Sequence, residues 1–445
     1  MRALIIICVL CFCLGPVPAK AEDNAVLTVT ECVKTALGHH PDLRAAEGYV
    51  EIARTKVAQS LSQWYPQITS MSTLYHQTAQ TGQGVFSPSS LTPSTIGTDI
   101  PALNPSSLAI YDYYNGGITA NQLLYDFGKT SSNVLSAKEN LNASEYDLLT
   151  KRLEIVFNVR QAFYQAVAAK KTLEAKAEAV GQQQEHLDQA RAFFKEGTKS
   201  KIDVTKAEVD LAKARLDLIK AESSWKTSLA TLYNKMGIKN EVRHDPEDPL
   251  SVEKIEIDLN EAFGEAENQR PELKKFISSI KSYRAKGKAA KVQNLPALSG
   301  IANYNWNGSQ LPLPYNYYYG VQLNFTLFDG HNASALAMEA EGNIHVLEAQ
   351  RASKLQDIRL EVEQAVLSLR DAEERVAVTE KSLAQAVENY DLAKGRYEVG
   401  LGTGIEFNDA RVSLTGAKTD SISALTDYQI AKAKLEKALG LFRDQ

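Results

Sequence analysis

Leu355, Val362, Leu369, Val376, Leu383 and Tyr390 stand seven residues apart, and Ile358, Ala365, Ala372, Thr379, Ala386 and Ala393 repeat the interval three positions later. An apolar heptad is the signature of a helix packed along a neighbouring helix, and a row of small residues lets the two approach closely. No proline occurs between 106 and 245 or after 314, and proline is costly inside a helix. These spans are therefore expected to hold long helices at about 131–194, 201–236, 331–396 and 405–439. The longest would run roughly 95 Å at 1.5 Å per residue, well beyond a globular helix. Their breaks fall where glycine permits a reversal, at Gly197 and at Gly400 to Gly404.

Another period precedes each helical span. In YYYGVQLNFTLF, Tyr319, Val321, Leu323, Phe325 and Leu327 alternate with polar residues, the period-two pattern of a strand with one apolar face. Strands are expected at about 66–80, 112–127, 297–307 and 316–328. The last has the length of a membrane strand, with an apolar face for lipid and a polar face for a water-filled lumen. A sheet on a soluble core would show the same alternation. Tyrosines at 111, 113, 114, 315 and 317 to 319 suit a lipid–water interface. The Ser/Thr/Pro-rich connection from Gly82 to Ile110 reads as an external loop. Four strands cannot close a barrel in lipid, where open edges go unsatisfied, so several copies must contribute if the strands enter a membrane.

The halves are alike. At an offset of 230 residues Glu31, Pro41, Leu43 and Pro66 meet Glu261, Pro271, Leu273 and Pro296; at 203, Gly197, Ile202 and Asp203 meet Gly400, Ile405 and Glu406. We read a tandem duplication, with a first structural repeat at 22–245 and a second at 246–445.

The remaining sequence narrows the class. Residues 1–21 have the basic start, apolar run and small-x-small end of a signal peptide. Cys11 and Cys13 lack the small residues expected before a lipidated cysteine. Cleavage leaves Cys32 alone, which excludes an intramolecular disulfide and suits a buried thiol. The formal charge of -5 is modest and argues nothing about partners, whereas the lack of a basic stripe, together with export, speaks against nucleic acid. Asp126-Phe127-Gly128 lacks every companion kinase motif. His39-His40 lacks further metal ligands at useful spacing, and no catalytic constellation, metal centre or cofactor site stands out. An enzyme is not expected. A secreted coiled-coil structural or adhesion protein without channel activity is the alternative; it explains the helices and export but not the duplicated strands.

The duplication, the HPDLRAA and RPELKKF segments, the LLYDFGK and LNFTLFDG strand ends and the closing GxxxxxE/DxxxA pattern together closely resemble the TolC family of outer-membrane efflux and secretion channels. The resemblance covers essentially the whole mature chain. It implies a mainly α fold with a small β portion: a long coiled-coil helical barrel in the periplasm joined to a twelve-stranded transmembrane β-barrel of three identical chains, four strands from each. It also implies passive export through an exit duct in a tripartite efflux or type I secretion system. The partners implied are a periplasmic adaptor and an inner-membrane pump of RND, ABC or MFS type. Gly197 and the run Val399, Gly400, Leu401 and Thr403 fall at the family's adaptor-docking turns. Asp203, Tyr397, Glu406 and Asp409 match its entrance constriction. The arginine that some members place in the tip lock is replaced here by Gly402.

Overall fold

The computed structural model describes residues 27–81, 107–198, 200–238, 245–247 and 250–441. The expected signal peptide and most of the expected external loop lie outside these residues. Two α–α–β–β–α–α series follow in order. The first contains α1 (Val29–His39), α2 (Pro41–Leu61), β1 (Gln67–Thr81), β2 (Ser107–Tyr125), α3 (Lys129–Lys195) and α4 (Lys201–Met236). The second contains α5 (Leu259–Gln269), α6 (Pro271–Lys291), β3 (Ala297–Gly308), β4 (Tyr315–Asn324), α7 (Asn332–Glu398) and α8 (Gly404–Leu439). Corresponding helices match in length: 11, 21, 67 and 36 residues in each series.

Compact units cut across this order. One combines 1–41, 152–262 and 362–445; the other combines 42–151 and 263–361. Both 67-residue helices belong in part to each.

The second unit holds the sheet. Its strands pair antiparallel in the order β1-β2-β3-β4. Paired residues of such a ladder project to the same side, so the register defines the two faces. Leu323, Tyr319 and Tyr317 stand opposite Leu298, Ala302 and Tyr304. Ala302 and Tyr304 stand opposite Ala120 and Ile118, and Ala120 stands opposite Ile68. One apolar face therefore runs across all four strands. The other carries Asn303 against Thr119 and Asn307 against Asn115, and the Asn303 amide donates to Thr119 Oγ1 at 2.7 Å. Trp306 lies across Gly116, where any Cβ would stand 2.5 Å from the indole nitrogen.

Three strand limits need correction. β4 ends at Asn324 rather than near 328, leaving Phe325 and Leu327 beyond the strand. Asn324 pairs with Ala297, and the residue before Ala297 is Pro296, which has no N–H to extend the ladder. β2 begins at Ser107 rather than near 112 and ends at Tyr125 rather than 127, so 107–110 belong to the strand and not to the loop. Asp126 accepts from the Thr130 backbone N–H at 2.7 Å as α3 begins. Asp329 accepts from Ala333 N–H at 2.8 Å as α7 begins. The Asp-Phe-Gly run is thus a helix-start device.

In the first unit, α1 opens with a reciprocal cap between Thr28 and Glu31. Cys32 is buried, and burial pushes its thiol pKa up to about 12, so it is a packed, unreactive group. His39 contacts the Thr35 carbonyl at the helix end. Leu187 and Ala190 of α3 pack on Ala207 and Leu211 of α4. Ala386 of α7 packs on Leu414 and Ala417 of α8. Along α7 every member of the two heptad rows is buried or half-buried.

Candidate functional site at the helix turns

The α3–α4 and α7–α8 connections share one construction. α3 closes when Thr198 N–H donates to the Phe193 carbonyl at 3.0 Å and Gly197 N–H to the Phe194 carbonyl at 3.1 Å. α7 closes when Leu401 N–H donates to the Arg396 carbonyl at 2.9 Å and Gly400 N–H to the Tyr397 carbonyl at 3.1 Å. Gly197 has φ +75 and Gly400 φ +76, the left-handed conformation that ends many helices and favours glycine. The surfaces differ. Val399 is 69% and Leu401 77% exposed, whereas the first turn presents Glu196 and Thr198.

Each following helix starts with a reciprocal cap. The Asp203 carboxylate accepts from the Ser200 backbone N–H at 3.0 Å and from its hydroxyl at 2.9 Å. Glu406 accepts from Thr403 N–H at 3.4 Å, and Thr403 Oγ1 accepts from Glu406 N–H at 3.2 Å. Both acids therefore stabilise a helix start whatever else they do. Glu406 also lies 4.0 Å from exposed Arg396. Asp409 is exposed on α8.

Tyr397, expected at the constriction, is packed inside one chain: it is buried, and its ring stacks on Phe407 at 5.2 Å and 17°. His186 of α3 stands 5.3 Å from Tyr397 and 5.5 Å from Phe407, and Tyr390 stacks on Phe407 at 5.8 Å. Burial, with Asp203 nearby, raises the Tyr397 phenol pKa. This packing sets a large ring on the inner side of the α7–α8 turn.

Beneath the rings lies a polar group that sequence reasoning missed. Arg411 is 1% exposed. Its guanidinium donates to the Gln182 carbonyl at 3.2 Å and to Asn408 Oδ1 at 2.7 Å, and lies 5.2 Å from the Phe407 ring centre. Gln183 donates to the same Asn408 oxygen at 3.4 Å. The signal was an arginine in the buried row Phe407, Ala410, Arg411, Leu414, at helical spacing. Gly402 is buried too, and a Cβ there would stand 3.0 Å from Tyr397 N. A larger side chain at 402 would press on the turn.

Known proteins match this arrangement. The sequence profile described as "Outer membrane efflux protein" matches residues 32–238 and 262–441. The chain belongs to this family. It is also 24% identical over 359 residues to the outer membrane protein TolC of Vibrio cholerae, covering 75% of this chain and 78% of that relative. Among solved structures, the Campylobacter jejuni CmeC outer membrane channel superposes with TM-score 0.77 at 17% identity, covering 98% of this chain and 94% of its own. The open-state Neisseria gonorrhoeae MtrE outer membrane channel gives TM-score 0.73 at 19% identity, covering 93% and 88%. Like the family, the chain is an outer-membrane efflux channel with a helical part extending into the periplasm; it is a transport protein and not a catalyst. No helix among the described residues is long and apolar enough to cross a membrane.

Proposed function

We propose that three copies close a twelve-stranded barrel through their β1 and β4 edges, forming the outer-membrane exit of a tripartite efflux or secretion system. The observation that carries this reading is the four-stranded sheet with one continuous apolar face and two edge strands. In lipid such edges must be paired. The two glycine turns are the docking points for a periplasmic adaptor, which couples the channel to an inner-membrane pump of RND, ABC or MFS type. The exposed Val399 and Leu401 side chains favour the second turn as the apolar contact. Asp203, Glu406 and Asp409, repeated in each copy, draw cations toward the entrance.

Leu401→Asp tests the docking. Leu401 is exposed and its turn is held by backbone bonds, so assembly in the outer membrane should be unchanged. In-cell crosslinking to a co-expressed adaptor, and export with it, should fall at least tenfold. Wild-type crosslinking and export would remove Leu401 from the docking surface.

A further inference from the structure

We infer that His186 and Arg411 make the α3–α7–α8 packing near the turns an acid-released joint. His186 is 7% exposed, wedged edge-on against Tyr397 of α7 and Phe407 of α8. Its Nδ1 has no hydrogen-bond partner, and neither do Gln183 Oε1 or Arg411 Nε. The joint therefore buries one permanent cation and one titratable ring whose polar edges are not fully satisfied. Such groups are tolerated while the ring stays neutral.

The groups facing the ring determine what a proton does. From α8 comes the Arg411 guanidinium; from α4 come Asp203 and Lys206; from α7 comes the Tyr397 phenol. Among these groups Asp203 is the neighbour whose charge favours imidazolium, and its carboxylate is engaged by Ser200. Asp210 and Tyr390 act on Arg411 rather than on His186. Protonation would place a second cation beside Arg411 in a desolvated pocket. Burial first, and Arg411 second, lower the His186 pKa from 6.5 to about 4.

The sign follows. A released joint, with the imidazole in water, binds a proton near pH 6.5, whereas the packed joint resists until about pH 4. Packing is therefore fully favoured above pH 6.5 and weakened as pH falls toward 4, by on the order of a hundred-fold in the packed-to-released ratio. Release separates α3 from the α7–α8 turn. In a channel whose entrance those turns form, it widens the entrance; this consequence rests on the function proposed above.

Amide hydrogen exchange on the purified full-length protein in detergent tests the joint without assuming conduction. After correction for intrinsic rates, amides of 183–190 and 404–414 should exchange on the order of a hundred-fold faster at pH 4 than at pH 7. In His186→Phe, which keeps a ring but cannot titrate, the acceleration should vanish. Parallel acceleration in wild type and His186→Phe would overturn the proposal. Should His186→Phe misfold, Gln183→Cys with Asn408→Cys supplies the second test: oxidation should abolish the acid response and reduction restore it, and a response indifferent to both would overturn the joint. Bilayer recordings then separate the two readings. Rising conductance on acidification in wild type and not in His186→Phe supports coupling to the entrance. Flat conductance in a conducting wild type overturns that coupling, whereas absence of any conductance counts against the channel itself.

Discussion

Gly237 illustrates how one missing side chain sets a packing distance. It ends α4 at φ +71, and a Cβ there would lie 2.8 Å from His40 Cα and 2.9 Å from Pro41 Cδ. The left-handed conformation alone costs an L-residue about 1–2 kcal/mol, and the opposing atoms are backbone and a proline ring that cannot swing away. Gly237→Ala should lower stability by about 1–3 kcal/mol, read as a drop in melting temperature. Gly400 ends α7 at φ +76 with open space where its Cβ would stand, so Gly400→Ala should cost less; equal shifts would show that conformation and not crowding decides. Phe407 makes the complementary point. It is buried against Tyr390, Tyr397, His186 and Arg411, and Phe407→Ala should cost about 3–5 kcal/mol and increase exchange of the turn amides at neutral pH.

Among the elements, α4 and α8 begin with the same cap built from different acids. The aspartate reaches Ser200 and the longer glutamate reaches Thr403, each closing the helix start reciprocally. This dual use complicates any claim about ion selection. Asp203→Asn with Glu406→Gln should lower cation over anion permeability in single-channel recordings, while reducing stability by about 1 kcal/mol per weakened cap. Asp409→Asn separates the effects, since Asp409 lies outside the caps: it should lower cation selectivity with no change in melting temperature. Selectivity unchanged in both variants would leave these acids with capping alone. The first-turn carboxylates were legible from spacing. Their bonds to Ser200 and Thr403 were not, because a capping box and a charged ring draw on the same residues at the same positions.

At the scale of the whole molecule, the sheet has enough apolar surface for one side of a barrel wall but not enough strands to close it. Val321 and Leu323 are 67% and 64% exposed in a single chain, on the face that register makes continuous with β1 to β3. Leu323→Asp places a charge on that face, which costs up to about 2–4 kcal/mol per copy at the bilayer midplane for the worst charges and less for Asp. Fractionation should show less of this variant in outer membranes and less assembled oligomer, with helical content retained. Full recovery in the outer membrane would place Leu323 away from lipid.

The sequence alone determined the elements whose signals are local and repeated. The heptad rows required long paired helices, the absence of proline allowed their length, and glycine marked both reversals. Alternation named the apolar side of β4 as well. Its end was not legible, because Phe325 and Leu327 continue the alternation after Pro296 on the neighbouring strand has removed the ladder's last donor. Tertiary structure alone decided the inside of the turns. Tyr397 sits seven residues beyond Tyr390 and continues the buried row, but its partner was not legible: His186, 211 residues earlier, meets it ring to ring. Arg411 is an ordinary helix-surface cation by composition, and becomes a buried one only when α8 lies against the Gln182 carbonyl. Heptads and turns are written in neighbours a few residues apart, whereas the environment of a charge is set by whatever distant segment excludes its water.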